Sequence, residues 1–350
     1  MQPPANSNTI TIMTYNILVG GKDGRMPAIE AVIRECDPDV VGVQEANDIA
    51  ACYALADRLG MECVTGYAAG GYHVGLLSRW PIRSWANYSR PWFQKTLIEA
   101  VIDIPGEPVP WHVFVGHGTA EFAQAYKAER RRARETRTFI ECMALARAQE
   151  HPHVLLGDFN ALAPGERLNV AELIARVTEL DDLRKQVGPI HGQPHLKFII
   201  PPPLHPLIPL IRRIPEVPWL AEVVTRAANL LIPRWSAATL LRAGYVDCLR
   251  SGSSGYAPRD IPPTCPLPRP SGRIDYIWAD PAVAAPRLTG SVVVTGDPAC
   301  PVDQASDHRP VLATFARVAP SQPSRTPDIV RIAEQIAQTA ADSSLSGTSA

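Results

Sequence analysis

"SGRIDYIWADP" (271–281) and "ASDHRPVLATF" (305–315) are the two stretches on which the reading of the fold turns. Each holds a strand-like run rich in Ile, Tyr and Trp or in Val, Leu and Phe. Each also carries charge where a buried strand should carry none. Asp275 stands inside the first, and the second is entered through Ser306, Asp307, His308 and Arg309. An isolated charge within a sheet is costly unless something pairs with it, so the two placements ask for one explanation.

Similar runs recur along the chain, at 9–17, 40–44, 73–78, 97–104, 111–116, 153–158, 273–279, 290–295 and 310–316, bounded by Gly, Pro, Asn or Asp. Helical patterns lie between some of them. One runs from Pro27 to Cys36, with proline suited to a first turn. Another covers 48–59 behind a capping Asp48. The longest, about 120–149, sets Phe122, Tyr126, Ala133, Ile140 and Ala144 on one stripe. Its other side carries Lys127, Arg130, Arg131, Arg134 and Arg137, diluted by Glu129, Glu135 and Glu141, and reads as a solvated face. Mixed strands and helices of this kind predict sheet layers covered by helices.

Two segments stand apart. Residues 190–235 include "KFIIPPPLHPLIPLIRRIPEVPWL", whose prolines argue against regular helix or strand in the first half; "WLAEVVTRAANLLI" then reads as a short helix. The stretch 318–350 is rich in Pro and Ser, has one weak helical pattern at 327–341, and is expected to be largely disordered. The expected organisation is one catalytic unit over 1–317, interrupted by the apolar insertion 190–235.

A balance of 34 basic and 35 acidic residues argues against a globally basic nucleic-acid binder, while leaving room for a local basic groove. The seven cysteines are scattered without a Cys-x-x-Cys pair, which points away from a zinc site or a disulfide framework. The amino terminus passes from a polar stub into a strand, with no basic region followed by an apolar run. No run reaches the length of a membrane span. A reduced, cytoplasmic protein is the expectation.

The chemistry collects at strand ends. "MTYNIL" closes on Asn16, "VVGVQEA" on Gln44 and Glu45, "VFVGHGTA" on His117, and "VLLGDFNAL" on Asp158 and Asn160. Singly, each has a plain alternative. Asn16 or "GDFN" suits a turn, Glu45 a helix start, and His117 a satisfied core histidine. Asp275 and the Asp307–His308 pair resist such readings, because carboxylates in apolar strands need partners. Active sites are commonly assembled in this way, from the ends of rigid strands.

In content and order, the series Asn16, Gln44-Glu45, Asp158-x-Asn160, Asp275, Asp307-His308 resembles the endonuclease/exonuclease/phosphatase family, and "YHVGLLSRWPI" (72–82) is similar to that family's Leu-Ser-Arg-x-Pro strand. The resemblance covers about 9–316, outside 190–235. It implies an α/β four-layer sandwich, with two packed mixed β-sheets flanked by helices. It also implies divalent-metal-dependent hydrolysis of phosphate esters, a phosphodiester first among them.

On the same ground, Glu45 is the principal metal ligand, helped by Asn16 and Asp307. Mg²⁺, with Mn²⁺ as a substitute, suits oxygen ligands and keeps several waters. Asp158 and Asn160 match the positions that activate and orient water. His308 contacts the phosphoryl group, held by Asp275, and His117 matches a second phosphate-contacting histidine. The base is either Asp158 or the Asp275–His308 dyad. Leu18 stands where some DNA-repair members carry an acid, which disfavours abasic-site repair.

The substrate stays open between nucleic acid and a lipid or other amphiphile. A nuclease draws on the arginine-bearing helix. A lipid-directed, sphingomyelinase-like enzyme draws on 196–232, where Ile, Leu and Trp mix with paired arginines as in interfacial segments; the plainer alternative is an insertion packed on the domain's own core or forming a dimer contact. A non-catalytic relative binding phosphorylated ligands is the third reading; such proteins lose an acid or the final histidine, and none is missing here.

Overall fold

Ile10 and Ile12 face one side of the first strand and Met13 and Tyr15 the other, and all four are buried. A strand apolar on both faces needs a layer on each side of its sheet. The computed structural model describes residues 8–251, 254–257 and 260–318, and in them that condition is met twice.

The first sheet takes β1 (Thr9–Asn16), β2 (Val40–Gln44), β3 (Glu62–Gly66), β4 (Val74–Ser78), β11 (Leu288–Val293) and β12 (Val311–Ala316), in the order β11-β12-β1-β2-β4-β3. The second takes β5 (Ile82–Tyr88), β6 (Leu97–Ile102), β7 (Trp111–His117), β8 (His153–Asp158), β9 (Val246–Asp247) and β10 (Asp275–Ala279), in the order β5-β6-β7-β8-β10-β9. The β1/β2 and β7/β8 pairs are parallel and the others antiparallel, so both sheets are mixed.

Between the sheets Ile10, Ile12, Val113, Val115, Leu156 and Ile277 belong to one apolar cluster. Space there is tight enough that a Cβ on Gly42 would meet Leu156 Cδ1 at 2.4 Å. Outside the first sheet, Met13, Tyr15 and Val43 pack with helices Met26–Cys36 and Ile49–Leu59. Outside the second, Phe114, Leu155 and Trp278 meet Phe139 and Met143 of helix Ala125–Ala148, and Leu240 of helix Trp235–Arg242. The result is the expected four-layer α/β sandwich.

Local chemistry sets the helix starts where the sequence places them. Pro27 lies in the first turn of one helix, and the Asp48 side chain accepts from Ala51 N to cap the next. The long helix departs from its expected stripe. Phe122 precedes it, Tyr126 and Ala144 are exposed, and Glu129 and Glu135 are buried rather than diluting a basic face. Burial of those two acids is explained by the donors they satisfy. Glu135 accepts from Thr119 N and Oγ1, and Glu129 from Ser236 N and Arg132 Nε. Lys127, Arg130, Arg134 and Arg137 stay exposed, as a solvated face requires.

The insertion is less irregular than its prolines suggest. Its first half folds as short turns, Leu196–Ile199, Pro202–Leu207, Ile208–Ile211 and Ile214–Glu216, most with a proline in the first turn, where no N–H is missed. Helix Pro218–Leu231 follows, as predicted, and Leu196 and Ile200 pack on Ile174 and Val177 of helix Val170–Val187. Of the tail from 318, only Val318 lies among the described residues.

Arg273, two residues before Asp275, is 1% exposed and stacks 4.3 Å over the Tyr276 ring. Its guanidinium donates to Glu166 and Asp247, joining the loop after β8 to β9 and β10. Removing one partner of a buried ion network strands the others without compensation. Arg273→Met is therefore expected to cost about 3–5 kcal/mol of unfolding free energy. A chemical denaturation curve superposing on wild type would contradict this.

Candidate active site

The side-chain alternation that fills the inter-sheet core also delivers the polar groups. Val154 and Leu156 point into it from β8, and Asp158 is next in that row. His117 follows Val113 and Val115 on β7, Asp275 precedes Ile277 on β10, and Asn16 follows Ile10 and Ile12 on β1. Register completes the convergence. His117 lies opposite Asp158, Asp158 opposite Asp275, and Asn16 opposite Gln44. The polar set is the continuation of the core past its apolar end.

Across the gap the two sheets are joined by hydrogen bonds. Asn16 Nδ2 donates to Asp158 Oδ2 at 3.1 Å and reaches Glu45 Oε1 at 3.5 Å, while Val19 N donates to Glu45 Oε2. His308 Nδ1 lies 2.9 Å from Asp275 Oδ2, and its Nε2 is 3.9 Å from both Asp158 Oδ2 and Asp307 Oδ1. Asn160 donates to Asp158 twice, from its backbone N and from Nδ2. Glu45 and Asn160 hold backbone φ of 59° and 49°, a conformation that non-glycine residues adopt at local cost. All eight residues singled out in the sequence meet at one rim.

Burial and charge act against each other here. Burial alone would lower His308, but Asp275, Cys265 and Asp307 hold it well above the usual histidine range. Burial pushes the Asp275 carboxyl up against the pull of His308. Carboxylates stand on both sides of the ring, so the shared proton belongs on the imidazole. For Asp158 burial would raise the carboxyl, yet His117, His308 and Lys95 around it keep it below the ordinary range. Burial raises Asp307, and the nearby Glu45 charge raises it further.

Three neighbours were not found from the sequence. Lys95 Nζ contacts His117 Nε2 and lies 5.0 Å from the Tyr72 ring centroid; the residue is 6% exposed. An ammonium only donates, so His117 accepts through Nε2. Burial and the Lys95 charge both lower His117. The same Nε2 lies 3.4 Å from Asp158 Oδ2, so Lys95, and not the ring, is the donor placed between the two. Gln193, from the insertion, donates through Nε2 to Asp307 Oδ2 at 2.8 Å. Cys265 lies close to Asp307 and His308, and burial pushes its thiol up to about 12. The one signal for Lys95 was a lysine at the entry of the run 97–104.

Two groupings are candidates for a cation. Ligand atoms of Asp158, Asp275 and His308 lie within 4.8 Å of one another, as do those of Cys265, Asp307 and His308, but a protonated imidazole bonded to Asp275 has no lone pair to give in either. Glu45 and Asp307 fit a hard cation better. Both offer carboxylate oxygen, the Glu45 charge raises the Asp307 carboxyl, and Asp307 Oδ1 is buried without a hydrogen-bond partner among the described residues.

This rim on a four-layer sandwich defines a phosphate-ester hydrolase. The chain belongs to the Endonuclease/Exonuclease/phosphatase family, whose model matches residues 13–308. Solved structures share the fold. A humanized D. rerio TDP2 is 16% identical, with a TM-score of 0.54, covering 88% of this chain and 99% of that one. The 3′ phosphatase NExo from Neisseria, bound to product DNA hairpin, is 20% identical over 87% and 99%, with a TM-score of 0.54. An AP endonuclease from Archaeoglobus fulgidus is 18% identical over 87% and 99%, again at 0.54. No curated protein matches the sequence.

The row His117–Asp158–Asp275 depends on close strand approach. A Cβ on Gly157 would sit 2.0 Å from Gly116 O. Gly157→Ala is expected to cost about 1–3 kcal/mol by overpacking and to misplace Asp158. Thermal melting and turnover of the purified variant check this; two unchanged values would refute the tight fit.

Proposed function

We propose that this chain hydrolyses phosphodiesters with a divalent cation, Mg²⁺ or Mn²⁺, held by Glu45 and Asp307. Asn16, whose Nδ2 donates to Asp158 and whose Oδ1 accepts from Leu18 N, would position Asp158 beside the cation. The observation that carries the reading is the approach of His308 Nε2 to within 3.9 Å of Asp158 Oδ2 across the rim. A phosphodiester resists attack because its oxygens are negative, and the cation, once bound, neutralises that charge.

The remaining work falls to side chains. Asp158 orients the attacking water and receives its proton, with Asn160 fixing the carboxylate through its two donated hydrogen bonds. The His308 imidazolium stabilises charge on the phosphoryl oxygens or protonates the departing one, and Asp275 holds the ring. Lys95, beside His117, would turn positive charge toward the phosphoryl group, its ammonium lowered by burial and held up by Asp158 and Glu45.

A nucleic-acid substrate is the second reading. The Neisseria phosphatase is bound to a product DNA hairpin, and the Archaeoglobus structure is named an AP endonuclease. In this chain Arg134 stacks 4.1 Å over Trp92, which lies three residues before Lys95. Such a pair offers a platform for a base. It would bring binding that falls steeply with salt. A cytoplasmic location accords with the seven cysteines, all free thiols.

Asp158→Asn and His308→Ala are each expected to lower turnover of bis-p-nitrophenyl phosphate by about a thousandfold or more with the fold intact. Lys95→Met should lower kcat/KM by at least about tenfold. EDTA should abolish activity, and added Mg²⁺ or Mn²⁺ restore it. Near wild-type turnover in either variant, or full activity in chelator, would remove this assignment.

A further inference from the structure

Helix Pro218–Leu231 is docked the wrong way round for an ordinary surface helix. Thr225 and Asn229 face the body of the protein, while Glu222 and Arg226 stay at the surface. Asn229 exchanges two hydrogen bonds with the Leu168 backbone, Glu222 pairs with Arg167, and Thr225 is its one buried residue. Its apolar side faces solvent: Trp219 is 70% exposed, Val223 55% and Leu230 87%. With Ala227 between the last two, their spacing draws one stripe along the helix. Burying such a stripe is what normally stabilises an amphipathic helix. Here polar bonds hold the helix while the stripe is displayed.

The preceding turns repeat the pattern. Leu204 and Leu207 of the 3₁₀ turn and Leu210 of the helical turn after it are all exposed. Charge in the same segment is net positive, with Lys197, Arg212, Arg213 and Arg226 against Glu216 and Glu222. Lys197 and Arg213 are exposed and have no acidic partner among the described residues. Arg213 borders a cleft of about 460 Å³ shared with Ile208, Pro209 and Thr178. Among the described residues no helix is long and apolar enough to cross a membrane.

We propose that the insertion, residues 196–232, docks this protein on the surface of an anionic lipid membrane. Leucine and tryptophan side chains protruding from several separate turns suit a fluid phase that closes around each of them, whereas a protein partner would have to supply a pocket for each. The spare cations among them find their counter-charge in anionic headgroups. Docking rests on the displayed stripe and the spare charge alone. Joined to the phosphodiesterase reading, it makes the substrate class a phosphodiester carried by a lipid.

The experiment is co-sedimentation of the full chain, in EDTA, with vesicles of phosphatidylcholine alone and of phosphatidylcholine mixed with phosphatidylglycerol. Wild type should pellet with the mixed vesicles. The Trp219→Ser/Leu230→Ser double variant should bind them at least about tenfold more weakly, with unchanged turnover of soluble bis-p-nitrophenyl phosphate. Lys197→Glu/Arg213→Glu should remove only the gain from phosphatidylglycerol, as should high salt. Both pairs are exposed, and circular dichroism checks that the variants fold. Wild type pelleting no better than the double variant would overturn the proposal. So would a concentration-dependent dimer that the double variant abolishes. Because binding is read without metal and turnover without lipid, failure of docking is distinguishable from failure of the hydrolase assignment.

Discussion

The hydrogen bond between Asp275 and His308 ties one sheet to the other. Asp275 opens β10 of the second sheet, and His308 stands just before β12 of the first. Both are buried at the end of the inter-sheet core, so neither reaches water in exchange for losing the other. The pair solves a stability problem and creates a chemical resource at once, since a buried imidazole among carboxylates is kept charged. Asn16 and Asp158 bridge the same gap a few ångströms away.

Strand periodicity gives the site its precision. Residues at alternate positions fill the core until the strands end, and the next positions on the same faces are His117, Asp158 and Asn16. No flexible loop has to carry these groups. Where the backbone does turn sharply, at Glu45 and Asn160, it holds a conformation costly for a side chain, the local strain often met where geometry serves chemistry.

Nine strands, four helices and the eight polar residues of the rim could be read in the sequence, because apolar periodicity and charge in apolar runs are strong signals. Strands β3, β5 and β9 could not. The first two begin with or carry charged residues on outer strands, and the third is two residues long. Burial of Glu129 and Glu135 escaped for a different reason: their partners, Ser236 and Thr119, lie on other elements. Lys95 and Gln193 were missed because a lone lysine or glutamine resembles surface until the fold brings His117 or Asp307 beside it. The inverted helix was legible as a helix, but its orientation was not, since that depends on which face the Leu168 backbone grips.

Gln193 gives the insertion a stake in the rim. Its amide holds the Asp307 carboxylate, and its own backbone carbonyl is gripped by Arg184. Gly192 lies against Leu18 and Val19, the turn that leads from Asn16 to the Glu45 contact. The segment is therefore not a detachable module. A chimera that exchanged everything from 188 onward for a relative's shorter crossover would alter the acid as well as the approach to it, and only a boundary drawn after Gln193 would keep the two questions apart.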